Sequence, residues 1–298
     1  MHGLISYFQA IVLGLVQGVA EPFPISSLGH SVILPRLAGW QIHQEASYFI
    51  SFLVATHLAT AIVLFGFFFD DWRRILNGLW RSFRGRSDPT DTDARLGWLL
   101  LVGTVPAGLI GLVLQGPLQS LFASAVAAAG FLVLNGVGLL AFERLRARST
   151  AGGAPAALES RETAQDADTR LARLSFGESL RIGLSQAAAL LPGISRSGAS
   201  MGGGLLAGLS NEEAARFSFL LATPIIGAAA ILKLPKLLGP DGDGIRGPAV
   251  VGALCAGLTT FFAVKYLLRF FQTSSLRPFG IYCIAAGLAC LAIFAVGG

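Results

Sequence analysis

Charge is scarce in this chain. Only 13% of its 298 residues are Asp, Glu, Lys or Arg, about half of the roughly 25% usual in soluble domains. That scarcity excludes an ordinary cytosolic enzyme, a disordered chain and a nucleic-acid binder. Cysteine is scarce too. Cys255, Cys283 and Cys290 all lie in apolar runs, at spacings that suit neither a metal site nor a disulfide framework, and read as small apolar packing residues. Histidine occurs four times, which limits imidazole chemistry to few places. The first ten residues lack the basic lead-in of a cleavable signal peptide.

What is present is apolar. Hydrophobic residues make up 53% of the chain and the mean hydropathy is +0.66. The 37 glycines suit close helix packing in lipid. The net charge is +5, but the cations are clustered: 12 of 22 Lys and Arg lie in Arg73 to Arg95 and Arg144 to Arg173. This is the positive-inside pattern of a membrane protein rather than a DNA-binding face.

A bilayer-spanning helix needs about 20 apolar residues. Six stretches qualify, at 47–69, 96–115, 119–142, 213–236, 248–271 and 278–297. Two further apolar regions are broken, 4–39 by Glu21-Pro22-Phe23-Pro24 and 176–209 by Leu191-Pro192-Gly193. Proline and glycine in mid-run stop a helix. Both regions therefore read as re-entrant helical hairpins. Irregular backbone at that depth is tolerated only where it is buried in protein or lines a wet cavity, so each break is a candidate site.

An internal repeat joins the two breaks. With a shift of 169, residues 14–39 and 183–208 are identical at 11 of 26 positions. Ser-Phe-Leu-Val-Ala-Thr at 51–56 likewise resembles Ser-Phe-Leu-Leu-Ala-Thr at 218–223. Each half is then one broken hairpin and three full spans. Three crossings invert the second half relative to the first. The expected fold is an all-α polytopic membrane protein with an inverted-topology repeat, its site at the repeat interface. The halves are 1–142 and 176–298, joined by a flexible cytoplasmic linker at 143–175. Positive-inside counting puts both basic loops in the cytoplasm and both termini outside. Lys233, Lys236 and Arg246 count against that orientation.

The first break carries Gln17 and Glu21 on one helix face. Ser26 and Ser27 follow where a returning helix starts, and His30 lies a turn further on. The second break reads Pro192-Gly193-Ile194-Ser195-Arg196-Ser197-Gly198. Gly193 and Gly198 permit a tight turn, and the next helix points its N–H groups at the tip, a ready anion site. Arg196 adds a fork suited to phosphate oxygens. An arginine at bilayer centre costs at least about 2.5–3.5 kcal/mol, so it needs a partner, and Glu21 is the obvious one. A Glu–Arg pair that merely locks the halves together leaves the serines and glycines unexplained. His57 follows the repeated segment and is a second candidate for the same cavity. Glu178, Glu212, Glu213, Arg181 and Arg216 read as helix-end caps and dipole partners.

These motifs resemble the bacterial undecaprenyl-diphosphate phosphatases of the bacitracin-resistance type. That family shows Glu/Gln-x-x-x-Glu followed by Pro-x-Ser-Ser-x-Gly-His, matched here by Gln17 to Glu21 and Pro24 to His30. Its Pro-Gly-x-Ser-Arg-Ser-Gly is matched by Pro192 to Gly198. The resemblance covers essentially the whole chain, with 70–95 and 143–175 weakest. It implies a plasma-membrane enzyme that removes the terminal phosphate of undecaprenyl diphosphate at a site facing the outside, with a divalent cation, magnesium or calcium.

On that resemblance Glu21, Ser27, His30 and Arg196 are the expected catalytic residues. Gln17, Ser26, Gly193, Ser195, Ser197 and Gly198 are the expected substrate-binding residues, and Glu21 the expected metal ligand. The expected partner is a polyprenyl diphosphate lipid in the membrane, with no nucleic acid; a second copy of the chain is left open. The expected nucleophile is Ser27 or water, with His30 as general base and later acid; an alternative makes His30 itself the nucleophile. Gln17 departs from the commoner Glu, Leu28 from Thr, and His57 from a Gln-Leu-Gly pattern. A transporter or flippase of the same phosphorylated lipid is the rival reading, and it needs no nucleophile. The other lipid-phosphatase pattern, which ends Ser-Arg-x5-His-x3-Asp, fails because no histidine follows Ser195-Arg196 at that spacing.

Overall fold

A computed structural model describes residues 4–86, 88, 90–114, 124–151 and 164–296. Among these residues the regular structure is helical. Six helices are long and apolar enough to cross a membrane: α3 (Ser47–Phe67), α5 (Thr92–Leu114), α6 (Ala125–Ala151), α10 (Asn211–Leu238), α11 (Arg246–Thr273) and α12 (Arg277–Val296). They agree with the six stretches read from hydropathy, although the start of the 119–142 stretch lies outside the described residues.

The two broken regions are helix–turn–helix units. In the first, α1 (Tyr7–Ala20) turns through 21–26 into α2 (Ser27–Leu37). In the second, α8 (Phe176–Ser185) tightens into a 3₁₀ turn at Gln186–Leu190 and returns as α9 (Arg196–Leu206). Local chemistry recurs at the shift of 169. Ser6 and Ser175 close capping boxes with Gln9 and Glu178. Ser26 and Ser195 cap the returning helices by accepting from the N–H groups of Gly29 and Gly198, at 3.2 and 3.1 Å. Gly39 and Gly208 end those helices with positive φ.

Glycines decide how the hairpins lie. A Cβ on Gly14 or Gly18 would run into the backbone of Gly252 or Ala256, so α1 lies directly against α11 and runs parallel to it. Gly183 makes the same approach to Gly103, and four residues earlier Ser179 Oγ donates to Leu99 O at 2.6 Å, so α8 runs parallel to α5. The turns of the two helix–turn–helix units meet, since Ser197 at the start of α9 donates to the carbonyls of Glu21 and Phe23 in the first turn. The main core, from Ala20 to Phe294, surrounds that meeting point. A second cluster (Ile5, Ala10, Leu13, Phe49, Phe52, Ile245, Ala249) packs the entry of α1.

The two basic stretches come together at one end. Helix α4 (Phe69–Phe83) follows α3, and α7 (Ala164–Leu171) precedes the second hairpin. Arg74 bonds Asp168, and Arg95 donates to the carbonyls of Ala172 and Leu174 at 2.5 and 3.0 Å. The linker thus differs from the flexible segment expected at 143–175. Its first residues extend α6, and α7 is docked because Asp168 and Arg170 reach partners on α4 and α10. Residues 152–163 of that linker lie outside the described residues. Arg216 also departs from a simple helix-end role. Its Nη2 lies 2.9 Å from Asp71 in an ion pair, and its Nε donates to Asp168 at 3.0 Å inside the protein.

Candidate active site

The site is assembled where the two tips touch. Arg196, the first residue of α9, extends Nη2 to Oε1 of Glu21 at 2.8 Å. Glu21 is 8% exposed, so the pair is largely withdrawn from solvent. Each charge compensates the other's desolvation, and losing either leaves an expensive buried charge. The other amino group of Arg196, Nη1, is buried without a hydrogen-bond partner among the described residues. A guanidinium held by one prong presents its second prong to an anion.

The second oxygen of Glu21 accepts from two side chains and has an imidazole beside it. The hydroxyl of Ser27 donates to Oε2, Gln17 Nε2 donates to it at 3.3 Å, and His57 Nε2 lies 3.5 Å away. Ser27 is the first residue of α2, which aims its hydroxyl back across the turn at the end of α1. Gln17 reaches Glu21 because the two are one helical turn apart on α1. The amide oxygen Oε1 of Gln17 is buried and unpartnered.

Ser26 makes this geometry possible at a cost. Among the described residues it is the only non-glycine with positive φ, at 68°. Such a backbone costs on the order of 1–3 kcal/mol and persists only when its surroundings impose it. Here the turn is held by the Ser26–Gly29 cap and by contacts from the second tip. Ser197 Oγ donates to the carbonyls of Phe23 and Glu21 at 3.0 and 3.2 Å. Ser195 Oγ reaches Phe23 O at 3.4 Å and Ser197 Oγ at 2.9 Å. Gly193 has φ of 108°, and a Cβ there would strike the carbonyl of Ala128. Only glycine suits that position, pressed between α6 and Gly29. The first turn of α9 leaves backbone N–H groups that no carbonyl within the helix can take up.

His30 is not joined to Ser27. Its Nδ1 lies 2.7 Å from the Ser26 carbonyl, which can only accept, so Nδ1 carries the hydrogen. Nε2 then accepts from the hydroxyl of Tyr282 at 2.8 Å, with the two rings stacked. Of the expected residues, Gln17, Glu21, Ser27 and Arg196 converge on one carboxylate. Ser26, Gly193, Ser195, Ser197 and Gly198 shape the tips, and His30 is turned toward α12. His57 joins the carboxylate from α3.

Asn135 was missed by the sequence reading. On α6, it donates to Pro24 O at 2.9 Å and accepts from Ser195 N at 3.0 Å, touching both tips. A lone amide in an apolar run was the available signal. Tyr282 was missed as well, and nothing in its neighbourhood marks it.

A divalent cation takes oxygen ligands, and magnesium is commonly held by one or two carboxylates together with substrate phosphates. Among the described residues no three His, Cys, Asp or Glu side chains cluster as a self-sufficient metal cage. Glu21 and the unpartnered Gln17 oxygen fit the smaller protein share of a site completed by a phosphorylated substrate.

Comparison with known proteins follows the same motifs. The family model described as Bacitracin resistance protein BacA matches residues 10–289. The chain belongs to this family. It is 47% identical to the undecaprenyl-diphosphatase of Mycolicibacterium paratuberculosis, over 98% of both chains. It is 44% identical to undecaprenyl-diphosphatase 2 of Frankia alni, over 99% of this chain and 100% of that protein. The undecaprenyl-diphosphatase 2 of Chromobacterium violaceum is 41% identical over 94% of this chain and 96% of its own length. The motif at Gln17 to His30 and the motif at Pro192 to Gly198 both fall within the matched family region.

Proposed function

We propose that this chain is an integral membrane phosphatase that hydrolyses undecaprenyl diphosphate to undecaprenyl phosphate and inorganic phosphate, returning the lipid carrier to cell-wall synthesis. The carrying observation is the Ser27 hydroxyl held on Glu21 while Arg196, gripped by the same carboxylate, keeps Nη1 free. The likeness to named undecaprenyl-diphosphatases over nearly the full length supports the same reading.

The lipid tail lies between helices and the diphosphate enters between the tips. Arg196 Nη1 and the N–H groups at the start of α9 bind the oxygens of the terminal phosphoryl group, where charge is spread in the transition state. Ser27 Oγ bonds to the terminal phosphorus as the bond from that phosphorus to the bridging oxygen breaks. The electron pair departs on undecaprenyl phosphate, and the Ser27 proton passes to Glu21. Water then cleaves the phosphoserine: its oxygen bonds phosphorus, inorganic phosphate leaves, and a proton returns to Ser27. His30, tied to Ser26 and Tyr282, orders the first turn of α2 rather than taking the first proton. Gln17 and Glu21 would hold a magnesium or calcium ion against the diphosphate; such an ion neutralises oxyanion charge when bound.

The two halves, 1–142 and 176–298, act as inverted repeats in the plasma membrane, and the site opens to the outside. Purified chain is expected to release phosphate from undecaprenyl diphosphate, with loss on adding EDTA and in Ser27→Ala and Arg196→Ala. A carrier that only moves the lipid needs the Glu21–Arg196 pair but no hydroxyl on a carboxylate. Lipid binding without phosphate release from folded protein would therefore establish the carrier and overturn the phosphatase.

A further inference from the structure

Helix α4 has two unlike faces. Asp71, Trp72, Ile75 and Gly78 are buried. A Cβ on Gly78 would strike the backbone N of Ala94, so α4 is pressed against the start of α5 and its orientation is fixed. The opposite face carries Phe69, Leu76, Trp80 and Phe83, which are 51–67% exposed. They recur at intervals of seven, four and three residues, the spacing of one helix side. A fixed helix cannot turn this stripe onto the protein.

The cations on α4 divide the same way. Arg74 faces inward to Asp71 and Asp168, and Arg81 is held by both oxygens of Asp91. Arg73 and Arg84 stand beside the apolar stripe instead. Arg84 lies over the Trp80 ring at 4.3 Å, and Arg73 is largely exposed beside a still more exposed Asp70, 3.8 Å away. One residue, Phe68, separates α4 from the span α3, so α4 starts at the level where that span leaves the hydrocarbon. An apolar stripe at that level, flanked by arginines, is the pattern of a helix lying in a membrane surface.

We infer that the outer face of α4 is a docking surface for anionic phospholipid. Phe69, Leu76, Trp80 and Phe83 enter the headgroup and upper acyl region, and Arg73 and the Arg84–Trp80 stack take the lipid phosphates. Charge complementarity and continuity with α3 favour a lipid surface over a second copy of the chain, which would bring Arg73 and Arg84 against their own kind.

Trp80 makes the inference measurable. The chain has four tryptophans, so subtracting the fluorescence of Trp80→Phe from that of the parent isolates one ring. The full chain is reconstituted in vesicles of phosphatidylcholine and phosphatidylglycerol at equal mole fractions, with bromine on the acyl chains of one lipid or the other. Both brominated lipids are expected to quench the Trp80 signal. Brominated phosphatidylglycerol should quench it about twofold more, since a cation near the surface draws anionic lipid. Arg73→Gln with Arg84→Gln should keep the quenching and erase the difference between lipids. No quenching by either lipid means that water, a second copy or another protein covers the face, and the inference fails. Equal quenching in the parent chain refutes the anionic preference. Neither readout depends on phosphate release.

Discussion

The side-chain oxygen of Asn135 accepts the backbone N–H of Ser195 at 3.0 Å, and the nitrogen of the same amide donates to Pro24 O at 2.9 Å. One residue of α6 therefore fixes both hairpin tips, although 111 residues separate it from the first and 60 from the second. Replacing it with leucine, which is similar in size, leaves a buried N–H and a buried carbonyl unpaired. Each unpaired group costs about 1–3 kcal/mol. Asn135→Leu should lower the thermal unfolding midpoint and phosphate release together, while Asn135→Asp, which keeps the acceptor for Ser195, should lose less stability. An unchanged midpoint in Asn135→Leu would show that the tips are held in place by other contacts.

The Glu21–Arg196 pair predicts a distinction between charge and shape. Arg196→Lys keeps the charge near Glu21 but has no second prong for phosphate. It should fold, bind lipid, and lose about 10²–10³-fold in kcat, the usual effect of removing one transition-state donor. Glu21→Gln leaves Arg196 buried without its counter-charge, a loss of about 3–5 kcal/mol of stability. It should fail in both activity and thermal stability. The test is steady-state kinetics beside a melting curve for each variant. Equal kcat in Arg196→Lys and the parent would remove Arg196 from the transition state.

Ser27 and His30 are three residues apart, yet the fold gives them different partners. Ser27→Ala should abolish phosphate release, because the hydroxyl on Glu21 is lost. Tyr282→Phe removes the donor to His30 Nε2 and should reduce kcat only modestly, with KM little changed. His30→Gln, able to keep one hydrogen bond to Ser26, should retain measurable turnover. Single-turnover assays on the three variants check the ordering. If His30→Gln is as inactive as Ser27→Ala, His30 must leave Tyr282 and enter the chemistry.

Much of this was legible in the sequence for physical reasons. Spans declare themselves by length and apolarity, and the breaks at Glu21-Pro22 and Pro192-Gly193 stop helices wherever they occur. The pairing of Arg196 with Glu21 followed from the cost of an unpaired charge in lipid. Spacing could not tell which way a histidine turns. His30 is close to Ser27 along the chain, but its ring is claimed by Ser26 and by Tyr282, 252 residues away. His57, 36 positions beyond Glu21, is the imidazole that reaches the carboxylate. Asn135 and the docking of α7 were hidden for the same reason, since their partners come from distant elements.

The docked linker supports a last prediction. Asp71, Arg74, Asp168 and Arg216 form a closed ring of alternating charge, with contacts of 2.7 Å from Arg74 to Asp71, 2.9 and 3.0 Å from Arg216 to Asp71 and Asp168, and a further Arg74–Asp168 bond. The ring ties α4 to α7 and to α10. Asp168 is 2% exposed, so it relies on its two arginines. Arg216→Met leaves two buried carboxylates sharing Arg74, and should cost about 3–5 kcal/mol. Adding Asp168→Asn removes one orphaned charge and should restore part of that loss, since neighbouring sites couple by about 0.5–3 kcal/mol. Thermal unfolding of the single and double variants measures the coupling. Strict additivity would mean that Arg216 and Asp168 stabilise the protein independently, and that the linker helix is held to α10 by the Arg170–Glu213 pair instead.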